Sequence, residues 1–333
     1  MGWEQRIVRD EELRPYLSPA GQGEFRRRVS ALVAQQQATW PMLREATAGL
    51  DQVEYRTLNV RESQVIAQFN PRRIVSTAAK VDAASIRERP CFLCPDSLPP
   101  EEKGIAFGGD FVILCNPFPV LRNHLVVAHR EHTPQAIANC FSRLLDLAEQ
   151  LGEDYFALYN GPGCGASAPD HLHFQACDRS LIPIVGDIEI GERNYIHSSD
   201  HLQLFSLHNY RLNLLIARGD DRDAIAGWFE RAIGRLAEIT QAQAEPMLNL
   251  VVMYGRGRWT VCFFPRGKHR PAYYFAEGEA KLTVSPAGID LAGVLVVPEA
   301  AHFARITEEN AGQIYAEVTL DDARFAELTT ALR

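Results

Sequence analysis

The residues best suited to take part in a reaction lie in the segment 170–175, which reads Asp-His-Leu-His-Phe-Gln. Side chains alternate between the faces of a β-strand, so a strand here would place His171, His173 and Gln175 in one row. The Gly-rich stretch 160–167 precedes it, and such a loop can present backbone N–H groups and a hydroxyl to a phosphate. Neutral imidazole is a competent nucleophile near pH 7, so the pattern predicts attack on phosphorus.

The histidine row has simpler explanations, such as surface residues or a plain metal site, but the adjoining loop favours catalysis. Gln175 cannot act as an acid, although its amide can donate a hydrogen bond to a phosphoryl oxygen. A histidine at that position could protonate a leaving group, so glutamine favours transfer to an acceptor over rapid hydrolysis. His124 and His129, each taken alone, are more readily explained as structural residues.

A Cys-x-x-Cys knuckle is formed by Cys91 and Cys94. Thiolates at this spacing can share one tetrahedral zinc ion with two ligands from distant sequence, and His129, His132 and His171 are the candidates. Two ordinary thiols or a redox pair are the alternatives, although the flanking prolines do not favour a thioredoxin-type pair.

Composition and charge narrow the class of protein. The 333 residues carry a formal net charge of −8, which argues against a nucleic-acid partner. The run Arg266–Arg270 is basic, and it is either a solvated charge run or a contact for a polyphosphate. We find no signal peptide and no apolar run long enough to span a membrane, so we expect a cytoplasmic protein without a membrane partner. The seven cysteines fit reduced thiols better than disulfides.

Hydrophobic periodicity predicts a series of elements that occurs twice. A helical region over 23–50, interrupted by Pro41, and a strand over 64–69 come first. The first series has strands at 111–116 and 124–128, a helix from Thr133 to 151, and strands at 155–159 and 171–175. The second has a strand at 212–217, a helix at 221–241, and strands at 248–254 and 259–264. The second series lacks the histidine row, so we expect only the first to have kept chemistry.

Three motifs carry a resemblance to a known family: Asn160-Gly161, Gly165-Ala166-Ser167 and His171-Leu172-His173-Phe174-Gln175. With them the chain resembles the histidine-triad superfamily, and within it the galactose-1-phosphate uridylyltransferase branch. That branch includes diadenosine tetraphosphate phosphorylases and GDP-hexose phosphorylases. The segment 116–127 is similar to the nucleotide-binding strand and turn of the branch. The sequence of segment 170–176 is closer to that of GDP-hexose phosphorylases. Segment 249–297 more weakly resembles the C-terminal half of diadenosine tetraphosphate phosphorylases.

The resemblance implies an α+β, histidine-triad-like fold of two related halves, each with an antiparallel sheet and a long helix. We expect an N-terminal helix and strand extension over 1–89. A catalytic half with the zinc knuckle would follow over 90–205, and a second, degenerate half over 206–333.

The resemblance also implies roles for individual residues. His173 would attack the α-phosphorus and carry the nucleotidyl group, Gln175 and Ser167 would hold its phosphate oxygens, and Asn160 would orient His173. Asn116 would lie near the ribose. The expected substrate-binding residues are Asn116, Arg122, Gly161, Gly165 and Arg266. A single, mainly structural zinc ion would be held by Cys91, Cys94, His132 and His171.

The expected activity is nucleotidyl transfer through a covalent nucleotidyl-His173 intermediate. Our first expectation is phosphorolysis of a dinucleoside polyphosphate of the diadenosine tetraphosphate type. The alternative is a GDP- or UDP-hexose phosphorylase or uridylyltransferase, with phosphate or a sugar phosphate as the acceptor. An alternative from another class is a zinc-containing protein that binds nucleotides without turnover. A histidine-triad hydrolase is disfavoured by Gln175, and a homodimer is what the family suggests.

Overall fold

The computed structural model describes residues 2–18, 23–77 and 82–333. Its strands are β1 (Glu54–Val60), β2 (Ser63–Phe69), β3 (Ile105–Phe107), β4 (Phe111–Cys115), β5 (Leu125–His129), β6 (Tyr155–Asn160), β7 (His173–Asp178), β8 (Arg193–Ser198), β9 (Leu202–Leu207), β10 (Leu215–Gly219), β11 (Leu248–Gly255), β12 (Arg258–Pro265) and β13 (Val294–Val297). Its helices are α1 (Asp10–Leu13), α2 (Glu24–Thr39), α3 (Pro41–Ala48), α4 (Ile74–Thr77), α5 (Ala83–Glu88), α6 (Phe141–Leu151), α7 (Ile184–Ile190), α8 (Arg222–Thr240), α9 (Ala272–Phe275), α10 (Gly288–Leu291), α11 (Ala300–Arg305), α12 (Glu308–Val318) and α13 (Asp322–Ala331). Among the helices of these three ranges, none is long and apolar enough to cross a membrane.

The larger sheet shows that the chain is built from two related halves. Within the described residues its ten strands run in the order β3-β4-β5-β7-β6-β11-β12-β10-β9-β8, and every pairing is antiparallel. Each half contributes five strands in the same relative order, read inward from its own edge, with α6 or α8 before the strand at the junction. The α+β fold of two related halves is therefore confirmed, and the two five-stranded units join edge to edge through β6 and β11.

The two faces of β7 have different surroundings. Phe174 and Ala176 belong to the main hydrophobic core, which also contains residues of α2, α6 and α8. Across the sheet, β5 pairs Ala128 with His173 and Val126 with Gln175. Since side chains alternate along a strand, His173 and Gln175 lie together on the face opposite the core.

The N-terminal segment packs against both halves. In the part of the chain that the structure describes, its hairpin β1–β2 forms a three-stranded sheet with β13, which lies parallel to β2. Its helix α2 buries Val29 and Leu32 in the main core. The division of the chain at 89/90 and 205/206 stays a prediction.

The helix predicted from Thr133 is wrong at its start, because α6 begins only at Phe141. The Thr133 carbonyl accepts from the Leu172 N–H at 2.7 Å, and the Gln135 N–H donates to the Pro169 carbonyl at 3.1 Å. These bonds hold residues 133–135 along the loop that precedes β7, so their backbone groups are not free for helical pairing. The predicted strand at 171–175 likewise begins two residues later, at His173.

Candidate active site and metal centre

The backbone of His173 is held by the side-chain amide of Gln135. The His173 N–H donates to Gln135 Oε1 at 2.8 Å. The Gln135 amino group donates to the carbonyl of His173 at 3.0 Å and to that of Asn160 at 2.9 Å. The ladder between β6 and β7 stops at the pair Leu158–Gln175, so the buried Gln135 amide replaces the next rung. The Gln135 side chain therefore joins the first residue of β7 to the last residue of β6.

The imidazole of His173 is held in one tautomer. Its Nδ1 lies 2.8 Å from the His171 carbonyl oxygen, which can only accept, so Nδ1 carries the proton. Burial lowers the pKa of His173 to about 4, although this hydrogen bond favours the protonated ring. The ring is therefore neutral near pH 7, with its lone pair on Nε2. A neutral imidazole with a fixed Nε2 lone pair is suited to nucleophilic attack.

Gln175 lies beside His173 and contacts His124, which taken alone is more readily explained as a structural residue. His124 is 4% exposed, and its Nε2 lies 2.7 Å from Gln175 Oε1. Its Nδ1 accepts from the Val120 N–H at 3.1 Å. Asn116 closes this cluster, since its Nδ2 lies 3.3 Å from His124 Nε2 and its Oδ1 accepts from the Phe118 N–H at 2.9 Å.

The Gly-rich loop before β7 packs tightly against the second half of the chain. Gly165 has a φ of +93°, and a Cβ added there would lie 2.6 Å from the Cβ of Ala287. A Cβ on Gly161 would lie 2.8 Å from the carbonyl oxygen of Leu248. Both glycines therefore have a structural reason to be glycine, and the predicted contact of this loop with a phosphate stays a prediction.

Asn160 connects the two halves at the junction of β6 and β11. Its Oδ1 accepts from Asn249 Nδ2 at 2.7 Å and from the Gly288 N–H at 2.9 Å. The side chain therefore points to the second half, and the contact of Asn160 with His173 runs through its own carbonyl and Gln135. The predicted role of Asn160 in orienting His173 stays a prediction.

Two arginines predicted to bind substrate have protein partners. The Arg122 guanidinium forms an ion pair with Asp51, and both side chains are about half exposed. Arg266 is 1% exposed. Its N–H groups donate to the side-chain oxygen of Asn249 and to the carbonyls of Pro286, Val318, Lys268 and His269. Because all five N–H groups of Arg266 are taken up in this way, its predicted contact with substrate is replaced by a role in holding the loops around the junction.

The four predicted metal ligands lie together. The ligand atoms of Cys91, Cys94, His132 and His171 all lie within 4.8 Å of one another. Cys91 Sγ is 3.3 Å from His171 Nδ1, and Cys94 Sγ is 3.3 Å from His132 Nδ1. A tetrahedral zinc ion bound at roughly 2.0–2.3 Å needs ligand atoms roughly 3–4 Å apart. Two thiols and two imidazoles at these distances can hold one metal ion, and thiolate and imidazole ligands suit zinc.

The surroundings of the cluster fit a bound cation. His171 Nε2 lies 2.7 Å from the His129 carbonyl, so Nε2 carries the proton and Nδ1 presents its lone pair to the cluster. Burial and the neighbouring Cys91 raise the pKa of Cys94 to about 11. A divalent ion would offset that effect by stabilising the thiolates. His129 serves through its backbone here and is not one of the four clustered ligands.

Arg89 joins Ser167, the last residue of the Gly-rich loop, to Asp170, which lies beside the metal cluster. Arg89 Nη2 donates to the Ser167 carbonyl at 3.1 Å and to Asp170 Oδ1 at 3.2 Å. Asp170 Oδ2 also lies 3.8 Å from Nε2 of His132. The role of the Ser167 hydroxyl toward phosphate stays a prediction.

The sequence contains no local signal for Gln135 and only a weak one for His124. Gln135 lies within the segment assigned to a helix, and its contacts with His173 span 38 positions, so no local pattern marks it. A weak signal for His124 is the histidine directly before a buried strand that pairs with the histidine row.

Comparisons with known proteins agree with this fold. Two family models match the chain in succession: a domain of unknown function, DUF4922, over residues 32–178, and the GDPGP1-like, C-terminal domain over residues 190–332. No curated protein matches the chain in sequence.

Among solved structures, yeast Ap4A phosphorylase Apa2 in complex with AMP is similar at a TM-score of 0.58 and 14% identity, covering 86% of this chain and 97% of that chain. The same phosphorylase in complex with Ap4A gives a TM-score of 0.55 at 15% identity, covering 85% and 97%. An ADP-glucose phosphorylase from Arabidopsis thaliana with bound ADP-glucose gives a TM-score of 0.36 at 14% identity, covering 80% and 99%. The likeness to Apa2 shows the fold. With the GDPGP1-like match, the predicted resemblance to this branch of the histidine-triad superfamily is confirmed.

Proposed function

Since the chain has the histidine-triad-like fold of the nucleotidyltransferase and phosphorylase branch, we propose that it transfers a nucleotidyl group through His173. The observation that carries the proposal is the neutral imidazole held with its proton on Nδ1 by the His171 carbonyl. That arrangement leaves the Nε2 lone pair for attack on phosphorus, as in nucleophilic catalysis by an uncharged imidazole.

The first step forms a bond between His173 Nε2 and the α-phosphorus of a nucleoside polyphosphate or nucleoside diphosphate derivative. The bond from that phosphorus to the bridging oxygen breaks, and the leaving group departs with the electron pair. Gln175 donates from its amide to a phosphoryl oxygen, and N–H groups of the loop 161–167 stabilise the developing charge. In the second step phosphate or a sugar phosphate attacks the nucleotidyl-histidine and frees the ring.

We propose that the cluster of Cys91, Cys94, His132 and His171 holds one zinc ion with a structural role. When bound, the ion would cross-link the knuckle to the residues that flank β7. His171 then serves in two ways, because its Nδ1 faces the cluster and its carbonyl accepts the hydrogen bond donated by His173 Nδ1. The metal site and the nucleophile are thereby joined through one residue.

We propose two alternative classes of nucleotidyl donor. A dinucleoside polyphosphate of the Ap4A type follows from the second-half resemblance seen in the sequence. A nucleoside diphosphate hexose, GDP-hexose first, is favoured by a specific observation, the match of residues 190–332 to the GDPGP1-like, C-terminal domain. The sequence of segment 170–176, which resembles that of GDP-hexose phosphorylases, also favours this donor. Both donors present an α-phosphorus joined through oxygen to a phosphorylated leaving group, so His173 would act identically on either.

The test is the intact mass of the protein after brief incubation with single donors and no acceptor. The donors are diadenosine tetraphosphate, GDP-glucose, GDP-mannose, UDP-glucose and ADP-glucose. The quench avoids acid, because a phosphoramidate is acid-labile. The variant His173→Gly removes the nucleophile, and His208→Gly, at an exposed histidine, is the matched control.

We expect one donor to add the mass of a nucleoside monophosphate to the wild type and to His208→Gly, but not to His173→Gly. The added mass identifies the base, and its release by phosphate or by hexose 1-phosphate identifies the acceptor. Nucleotide binding without any adduct would contradict the proposal and support the non-catalytic nucleotide-binding alternative. Sedimentation of the same samples tests the homodimer, which remains a proposal from the family.

A further inference from the structure

The hydrogen bonds around His124 determine which of its ring nitrogens carries the proton. The Val120 N–H donates to Nδ1 at 3.1 Å. A backbone N–H can only donate, so Nδ1 is the unprotonated nitrogen of the ring. In a neutral imidazole the proton must then be on Nε2. His124 therefore presents a single N–H, and this N–H points at Gln175.

The protonated Nε2 in turn determines how the Gln175 amide is turned. The atom 2.7 Å from His124 Nε2 must be an acceptor, so it is the amide oxygen of Gln175. The amino group of Gln175 is then on the other side of the amide. Asn116 Nδ2, at 3.3 Å from the same Nε2, is a donor and cannot replace Gln175 as the partner. The orientation of the Gln175 amide follows from this donor and acceptor pattern, so it does not require the oxygen and nitrogen of the amide to be distinguished directly.

The neutral state of His124 is well supported by its surroundings. The ring is 4% exposed, and burial together with the nearby positive charge of Arg73 lowers its pKa to about 3. A doubly protonated ring would also set a second N–H against the Val120 N–H. The ring therefore keeps the same donor and acceptor pattern across the physiological range.

We propose that His124 is a positioning residue for nucleotidyl transfer, which holds the Gln175 amide with its amino group available to the phosphoryl group on His173. The proposal rests on the proposed function of His173 and Gln175. Without the His124 donor the amide can rotate and present its oxygen, which repels a phosphoryl oxygen. His124 would thus act on the reaction only through Gln175.

The kinetic test is a double-mutant cycle on the rate of nucleotidyl-enzyme formation in a single turnover. We expect His124→Leu to slow this step by roughly 10- to 100-fold, as removal of a residue that orients a reacting group does. In a Gln175→Leu background the same change should alter the rate by less than about 2-fold. Effects that multiply in the double variant would refute action through Gln175.

The variant His124→Gln serves as the rescue control, because its Nε2 lies the same number of bonds from the backbone as the histidine Nε2. It should recover most of the rate lost in His124→Leu while both variants have the same melting temperature. A rate that follows melting temperature instead would indicate a merely structural role and overturn the proposal.

A second measurement does not depend on turnover. Long-range ¹H–¹⁵N spectra of the wild-type protein labelled at histidine should show His124 protonated at Nε2 and bare at Nδ1. The His124→Leu spectrum assigns the signal. The opposite tautomer would refute the proposal even in a protein that forms an adduct. The expected tautomer in a protein that forms no adduct with any donor would instead show that the proposed function has failed, leaving the hydrogen-bond geometry correct.

Discussion

Replacement of Gln135 by leucine should damage the nucleophile without touching its side chain. Leucine fills a similar volume but makes no hydrogen bond. The substitution leaves three buried backbone groups without their partner: the N–H and carbonyl of His173 and the carbonyl of Asn160, now bonded at 2.8, 3.0 and 2.9 Å. Gln135 is 3% exposed, so water does not readily replace the amide.

The size of the effect follows from the three lost bonds. A net contribution of about 0.5–1.5 kcal/mol for each hydrogen bond predicts a loss of about 2–4 kcal/mol in the free energy of unfolding. The start of β7 also loses the bridge to β6, which shifts the His173 ring relative to the phosphorus it attacks. A displacement of about 1 Å can cost roughly 100-fold in rate, and we expect a decrease of that order in nucleotidyl-enzyme formation.

The assay pairs urea unfolding with single-turnover mass measurements, and Gln36→Leu is the matched control. Gln36 is also fully buried, and its amide accepts from the Lys103 N–H at 3.0 Å and donates to Gln35 Oε1 at 2.8 Å. Its contacts are with α2 and the segment before β3. We expect Gln36→Leu to lower stability comparably while leaving the rate of nucleotidyl transfer within about 2-fold of wild type.

Chemical rescue separates positioning of His173 from general damage to the site. In His173→Gly, free imidazole can take the place of the missing ring and accept the nucleotidyl group. This imidazole is not attached to β7, so adding Gln135→Leu should scarcely change the rescued rate. The reasoning is refuted if Gln135→Leu lowers the rescued rate as much as the wild-type rate, or if it leaves the wild-type rate and stability unchanged.

Three further predictions follow from the site. Cys91→Ser should lower bound zinc from one ion per chain toward none and lower the melting temperature, measured by elemental analysis and calorimetry; full zinc content would contradict the assignment. Below pH 6.5 the unfolded chain protonates His124 and His173, whereas the folded chain does not until their pKa values of about 3 and about 4. Stability should therefore fall by up to about 1.4 kcal/mol per pH unit for each ring as pH falls from 6.5 toward 4, and equal urea midpoints at pH 7 and 5 would exclude this. Gly165→Ala, at φ +93° with a Cβ 2.6 Å from a neighbouring Cβ, should cost about 1–3 kcal/mol, whereas Gly163→Ala, whose nearest neighbour would be 3.7 Å away, should be nearly neutral.

Much of the fold could be predicted from the sequence because its signals are local. The alternation of His173 and Gln175 with Phe174 follows from the two-residue period of a strand. The structure places His173 and Gln175 together on one face and Phe174 on the other, as expected. Repetition of the same element order indicated two related halves. A capping signal at Thr133 was misleading, since the same backbone groups pair with the loop before β7. At residues 133–135 the long-range hydrogen bonds outweigh the local helix propensity.

The order of amino acids alone specifies which chemical groups the protein has: the histidine row, the Cys-x-x-Cys knuckle and the Gly-rich loop. How those groups are held follows from the folded chain. Gln135 meets His173 and His124 meets Gln175 only because β5, β6 and β7 lie side by side. Arg266 turns inward because the Asn249 side chain and the carbonyls of Pro286 and Val318 are brought around it by the fold. Hydrogen bonds between residues so far apart leave no periodic trace in the sequence, since each depends on the distance between two atoms that only the folded chain brings together.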